Sequence, residues 1–331
     1  MKLNNDMNFK LVYSVVSTSD DIYLLQTYLS LYSAKYHMPN VRTTLVVDDL
    51  TKATLTKCRS RILDYVDELI SVPLSQEYSK MVRSRLLKTN LRHYVKGDYL
   101  FVDSDTIVCG DLSELNSITA PLSAVWDRHC LLRDNPRYRN IKRRSKGIFD
   151  LEKEDFYFNS GVMLVRDCEE SHRFYSAWHQ NYLTHVDSIA IDQPTLALTH
   201  QQLNIPIHTL SGEYNCQIEN GIRYIRGMKI MHYFASQPTK GNRSFLSKLQ
   251  DPNLFKGVEQ NGEIDDSLRN IVIRPELSLA ECVCSYPVSP LFTTHLFSNL
   301  RDIFTHQENS FITKGMLGFL KVFVAGISKL N

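Results

Sequence analysis

Between residues 10 and 100 the apolar positions switch between two spacings in a regular order, and few architectures tolerate that. KLVYSVVS is a strand, and DDIYLLQTYLSLYSAKY follows with apolar residues at helical spacing behind an aspartate start. VRTTLVVDD is a strand again, TKATLTKCRSRILDYV reads as a helix opening on a threonine cap, and DELISV is a short strand. EYSKMVRSRLLKTNLRHYV then gives a longer helix, which Gly97 ends before DYLFVDSD. Strand and helix in this rhythm predict an α/β fold with a mostly parallel, doubly wound sheet and flanking helices.

The rhythm loosens further on. APLSAVWD reads as a strand, and residues 128–155, RHCLLRDNPRYRNIKRRSKGIFDLEKED, form a polar, strongly basic interruption. FYFNSGVMLV reads as a buried strand, followed by a helix from Asp167 to about Tyr182 and another after Asp192. IPIHTL and GMKIMHYF supply further strands. From about residue 245 the alternation is gone, so the expected division is a domain at 1–245 and a small, partly helical C-terminal appendage at 246–331. Its last stretch, 311–331, is apolar with Lys314, Lys321 and Lys329 spaced through it. It reads either as a helix packed on the domain or as one lying on an anionic membrane surface.

A formal net charge of +2 gives no global attraction to nucleic acid, which is not an expected partner. The seven cysteines form no C-x-x-C pair, and a scattered set suits free thiols in a reducing compartment. Cys282 and Cys284 have the spacing of half a metal site, but no second half follows. The N-terminus lacks the apolar core of a signal peptide and no run reaches the ~18 apolar residues of a membrane span. The expected location is the cytoplasm, with the tail offering peripheral contact at the inner face of the cytoplasmic membrane.

DYLFVDSDTIV sets Asp103 and Asp105 between two apolar runs. In open α/β sheets ligands sit beyond the carboxyl ends of strands, so the pair faces a crevice, where carboxylates need a positive partner. Two hard oxygen ligands suit Mg²⁺ or Mn²⁺ holding a substrate phosphate; a strand-end pair capping the next turn is the plainer alternative. His232, ending the KIMHYF strand, could add an imidazole, which tilts the choice toward Mn²⁺. Asn159, Ser160 and Gly161 offer hydrogen bonds and close backbone approach, or mark a strand bulge. Asp192, with Pro194 behind it, reads as a helix N-cap. Arg85 serves either as a positive group near a ligand or as a helix-surface ion pair.

These residues carry a resemblance to glycosyltransferase family 8, the GT-A (Rossmann-like) group that includes glycogenin and bacterial lipopolysaccharide galactosyl- and glucosyltransferases. SDDIY, a helix bearing Arg85, LFVDSDTIV, FYFNSGVMLV, AIDQPTL and MHYF stand in the family's order across about residues 12–235. The resemblance implies a retaining transfer of galactose or glucose from a UDP-sugar to a saccharide or lipid-linked saccharide acceptor, in lipopolysaccharide or other surface-polysaccharide synthesis. Asp103, Asp105 and His232 would hold Mn²⁺ or Mg²⁺. Ser17, Thr18, Asp20 and Tyr23 would meet uracil and ribose, with Arg85, Ser104, Asn159, Ser160, Gly161 and Lys240 as further donor-binding groups. Asp192 would bind donor hydroxyls, Gln193 would lie near the anomeric carbon, and Asp127 would touch the donor or acceptor sugar. A matched Gln is a poor nucleophile, which favours front-face substitution over double displacement.

The chain departs from the pattern in two places. Ile22 stands beside Tyr23 where the family has Asn, and HYFASQPTKGN puts Ala235 and Pro238 where Gly and Lys are expected, leaving Lys240 or Arg243 to substitute. Two other readings stay open: a non-catalytic sugar-nucleotide-binding relative, and a haloacid-dehalogenase-like phosphatase. The latter also sets Asp-x-Asp after a strand, but near the N-terminus and with Thr or Val where Ile107 stands.

Overall fold

The computed structural model describes residues 7–234 and 247–279, with Gly315 and Gly318. The first half runs β1 (Lys10–Val15), α1 (Tyr23–His37), β2 (Thr43–Asp48), α2 (Asp49–Ala53), β3 (Glu68–Val72), α3 (Lys80–Thr89), α4 (Leu91–Tyr94), β4 (Tyr99–Val102) and β5 (Thr106–Val108). Then come β6 (Leu122–Trp126), α5 (Tyr138–Ser145), β7 (Phe158–Val165), α6 (Glu169–His185), α7 (Gln193–Leu203), β8 (Ile207–Thr209), β9 (Cys216–Gln217), β10 (Ile230–His232), α8 (Lys256–Asn261) and α9 (Asp266–Ile273).

Seven strands form one sheet in the order β3-β2-β1-β4-β7-β6-β8. The first four are parallel, β7 runs antiparallel between β4 and β6, and β8 is parallel to β6. Because side chains alternate faces along a strand, each central strand feeds two cores. Leu11, Tyr13 and Val15, Leu100 and Val102, and Val162 and Leu164 pack with α1 on one face. Val12, Tyr99 and Phe101, and Met163 and Val165 meet Leu87, Leu91, Phe174 and Trp178 on the other. That is the two-faced burial expected of a sheet wound on both sides.

The helix expected over TKATLTKCRSRILDYV is broken. Asp48 caps the short α2 by accepting from Thr51 N–H at 2.9 Å, and Thr54 returns its hydroxyl to Thr51 O at 2.7 Å, competing with helix continuation. Lys57 is left-handed (φ 50°), and Lys57–Tyr65 forms tight 3₁₀ turns. The longer helix starts later than expected, at a Ser79 cap, and Asn90 (ψ 14°) parts α3 from α4. Gly97 (φ 76°) ends the segment as expected.

The basic interruption at 128–155 contains a helix, α5, which seats Ile141 against Leu132, Phe149, Tyr157, Ala197 and Leu198. Leu249, Phe255, Val258, Leu268 and Val272 join the core that α1 covers, and Tyr28 donates its hydroxyl to Gly262 O at 3.0 Å. The expected boundary near residue 245, the Cys282–Cys284 pair and, apart from Gly315 and Gly318, the 311–331 segment lie outside the described residues.

Candidate functional site

Asp103 and Asp105 occupy the seam between two sheets. The chain leaves the large sheet at Val102 and enters a three-stranded sheet, β5-β10-β9, at Thr106. Asp103 N–H donates to Gly161 O on β7 at 2.7 Å, whereas Asp105 O accepts from Tyr233 N–H at 3.1 Å. Antiparallel pairing of β10 with β5 sets His232 opposite Thr106. Ligand atoms of Asp103, Asp105 and His232 therefore lie within 4.8 Å of one another, with His232 Nε2 at 3.3 Å from Asp105 Oδ1.

A buried amide relay fixes the imidazole. Gly161 N–H donates to Asn159 Oδ1 at 2.9 Å, which identifies that atom as the carbonyl oxygen. Asn215 Nδ2 donates to the same oxygen at 2.9 Å, so Asn215 Oδ1 faces His232 Nδ1, also at 2.9 Å. Nδ1 must then carry the proton, which leaves a neutral ring's Nε2 lone pair pointing at an Asp105 oxygen. Two acceptors in that relation need a proton or a cation between them, and imidazole with two carboxylates is a fitting donor set for Mn²⁺. Phe234 stacks on the imidazole (centroids 4.2 Å apart) and the Arg128 guanidinium covers Phe234 at 4.6 Å. Phe234, Arg128 and His129 all adopt left-handed backbone (φ 50°, 60° and 56°), a strain typical of functional sites.

Helix α3 crosses the carboxyl edge and brings cations to carboxylates at several strand ends. Lys80 reaches Asp21 at 2.7 Å, Arg83 pairs with Asp48, and Arg85 Nε lies 3.0 Å from Asp192 Oδ1. Lys88, its side chain 3% exposed, is shared: its Nζ lies 2.9 and 3.1 Å from the two Asp103 oxygens and 3.6 Å from Asp192 Oδ2. Arg85 and Lys88 thus serve Asp192 and Asp103, while Asp105 pairs with His232, so the cluster keeps an uncompensated negative charge among the described residues. Asp192 occupies the N-cap position of α7 but makes no capping bond with its side chain; Ser160 Oγ donates to its Oδ2 at 2.8 Å.

A cavity of about 250 Å³ gathers Arg85, Asp103, Asp105, Asp127, Asn159, Ser160, Gly161, Asp192, Gln193 and His232. Pairing of β6 with β7 jumps from Ala124↔Met163 to Val125↔Asn159, so the expected bulge is present and turns Ser160 and Gly161 to the site. Asp127 accepts from Asn159 Nδ2 at 3.0 Å and from Asn135 Nδ2 at 3.1 Å, and Gln193 donates its amide to Phe158 O at 3.0 Å. Burial alone would raise these carboxyls. Lys88 and Arg85 outweigh it and hold Asp192 at about 2. The pairing with His232 keeps Asp105 below the ordinary carboxylate range, and Arg128 with the two asparagines does the same for Asp127.

Ser17, Thr18 and Asp20 sit on the turn between β1 and α1 and Tyr23 opens α1, all outside this cavity. Asp21 organises that turn, accepting from Ser17 Oγ, Thr18 N–H and Lys80 Nζ at 2.7, 2.8 and 2.7 Å; Asp20 is exposed. Ser104 accepts from Thr27 Oγ1 of α1 at 2.8 Å, and Lys240 lies outside the described residues, as do Ala235, Pro238 and Arg243. Lys88, Asn215 and Asp21 were not singled out in the sequence. A Lys three residues beyond Arg85 on the same helix was the available sign for the first; Asn215 gave none.

Comparison with known proteins bears on this geometry. Residues 8–240 match the profile of glycosyl transferase family 8, whereas a comparison with curated proteins found no match. Among solved structures, the galactosyltransferase LgtC in complex with donor and acceptor sugar analogs aligns with a TM-score of 0.52 at 16% identity, covering 79% of this chain and 99% of that one. GlyE of Streptococcus pneumoniae TIGR4 gives 0.48 at 17% identity over 82% of this chain, which spans 65% of GlyE. Mouse xyloside xylosyltransferase 1 gives 0.47 at 14% identity, over 70% of this chain and 99% of that one. The likeness to LgtC shows the fold, GT-A, as the sequence predicted. With the profile spanning both halves of the described site, from the β1 turn to His232, the chain belongs to glycosyl transferase family 8 and is a glycosyltransferase.

Proposed function

We propose that the protein is a metal-dependent, retaining hexosyltransferase that takes galactose or glucose from a UDP-sugar to a saccharide acceptor in lipopolysaccharide or other surface-polysaccharide synthesis. The observation carrying this reading is the convergence of Asp103, Asp105 and His232 beside the Asp192–Lys88–Arg85 cluster. Held there, a Mn²⁺ or Mg²⁺ ion supplies positive charge against the departing diphosphate. Lys88 and Arg85 add fixed positive charge on the same side, where negative charge grows as the glycosidic bond breaks. Asp192 and Ser160 are placed to orient sugar hydroxyls, and Gly161 lets the sugar approach the backbone. Gln193, its amide nitrogen tied to Phe158 O, presents a weak nucleophile. Front-face substitution, with the departing phosphate oxygen taking the acceptor's proton, fits that better than double displacement. Asp127, buried and charged, is suited to accept from a hydroxyl of donor or acceptor.

The Ser17–Tyr23 turn and Ser104 are proposed to hold the nucleoside, with Lys240 at the diphosphate. Free Cys58, Cys109, Cys130, Cys168 and Cys216 accord with a cytoplasmic setting. No helix among the described residues is long and apolar enough to cross a membrane. Peripheral contact of 311–331 with the inner face of the membrane rests on the sequence alone.

Thermal melting tests the reading. Mn²⁺ with UDP is expected to raise the melting temperature, Asp105→Ala is expected to abolish that rise, and a panel of UDP-sugars should identify the donor by UDP release. A wild-type protein indifferent to both ligands would remove the proposal. UDP binding without donor hydrolysis or transfer would favour a non-catalytic relative.

A further inference from the structure

Across the sheet, the order β1-β4-β7-β6 places the predicted nucleotide turn after β1, the acidic pair after β4, the Asn159–Gly161 bulge on β7, and Asp127 after β6. Read in that direction, the site runs from nucleotide through diphosphate and donor sugar to acceptor. Helix α5 stands at the last position. It packs through Ile141 on Tyr157, whose carbonyl accepts from Asp127 N–H at 2.7 Å, and on Ala197 and Leu198 of α7.

The wall it builds is basic. Arg137, Asn140 and Arg144 line the same cavity as Asp127 and Gln193. From Arg137 to Gly147 the chain reads RYRNIKRRSKG, with no acidic residue, and Arg139, Lys142 and Arg143 are exposed on α5. The cations elsewhere in the cavity have carboxylate partners: Arg85 and Lys88 meet Asp192 and Asp103, and Arg128 and Arg137 meet Glu219. Arg144 has no carboxylate partner among the described residues. A guanidinium facing a cavity, backed by a run of like charge, recognises phosphate through paired N–H groups.

Resting on the glycosyl-transfer reading above, we propose that the acceptor is an anionic saccharide whose phosphate group is met by Arg144 and the α5 wall. The cations would then select the substrate at its acceptor end, independently of the donor's own diphosphate. One charge-assisted contact at a cavity wall corresponds to roughly tenfold in affinity.

Titration calorimetry on the full chain, in Mn²⁺ and UDP, compares a hexose 6-phosphate with the same free hexose. The phosphorylated sugar is expected to bind at least about tenfold tighter. Arg144→Glu should erase that preference while UDP affinity stays put, and Arg139→Glu, which makes the same charge change off the cavity wall, should preserve it. Equal or undetectable binding of the two sugars overturns the inference, as does a preference that Arg144→Glu leaves intact. A parallel loss of UDP affinity in Arg144→Glu also overturns it, because the cations would then serve the donor. Wild-type failure to bind UDP at all strikes the proposed function instead, and the sugar comparison still stands without it. Sedimentation with equal-part phosphatidylglycerol–phosphatidylcholine vesicles separates the sources. Retention that Arg144→Glu abolishes supports a lipid-borne phosphate; no retention, with the sugar preference kept, supports a soluble one.

Discussion

Asn215 offers the sharpest way to probe the metal reading, because it touches none of the proposed ligands' metal-facing atoms. Its Oδ1 accepts from His232 Nδ1 at 2.9 Å, and the residue is fully buried. Asn215→Leu keeps the volume close but removes that acceptor, orphaning a buried N–H at about 1–3 kcal/mol of folding stability. The larger effect falls on the ring, which loses its fixed tautomer and orientation. Partners of ligating histidines typically govern roughly 10- to 100-fold in metal affinity, or about 1.4–2.7 kcal/mol. Calorimetric titration with Mn²⁺ should therefore show Asn215→Leu weaker by at least about tenfold. Asn215→Asp, which restores an acceptor for Nδ1–H, should recover part of the loss. Urea unfolding establishes that each variant is folded. A folded Asn215→Leu protein binding Mn²⁺ within about twofold of wild type would refute the relay argument, since losing the partner of a ligating imidazole should cost far more than that.

Three further outcomes are expected. In Gly161→Ala, the added Cβ would fall far inside contact with His232 Cε1 and 2.9 Å from both Asn159 Oδ1 and Asp103 Oδ2; a loss of about 1–3 kcal/mol in urea melts, with weakened Mn²⁺ stabilisation, should follow, and a neutral result would sink it. Asp192 titrates at about 2 rather than 3.8, so its stabilisation, on the order of 2 kcal/mol, is complete above about pH 4 and lost as pH falls through about 2. The stability gap between wild type and Asp192→Asn should accordingly narrow over that window, and a pH-independent gap would contradict the assignment. Lys88→Met strands two carboxylates in a buried cluster and should cost about 3–5 kcal/mol; urea midpoints showing under about 1 kcal/mol would mean that Lys88 does not hold the pair together.

Asp103 and Asp105 could be read from the sequence because two carboxylates interrupting apolar runs need a physical reason, and His232 because its strand has a clear apolar pattern. Lys88 could not: periodicity says which face of α3 is apolar, not which ammonium will be buried between Asp103 and Asp192. Asp192 beside Pro194 carries every local mark of a cap, and only tertiary placement of Arg85 and Ser160 turns its side chain away. Helix α5 was hidden by composition, since Tyr138 and Ile141 are its apolar anchors among a run of cations. The broken helix after β2 shows the same limit: Thr51 is tied to Ser17 N–H at 2.9 Å, a contact no local pattern records.

The seam between the sheets has a consequence for folding. Asp105 and His232 belong to segments far apart in the chain, joined where β5 pairs with β10. An ion clamped across that pairing would act as a late-forming rivet: it can close only after the distant strand has docked. At about a hundred times its dissociation constant it would tighten the native state by about 2.7 kcal/mol. Chelation should then speed amide hydrogen exchange at Ile107 and Met231 ahead of the parallel core, making the cation a gauge of whether the smaller sheet is assembled.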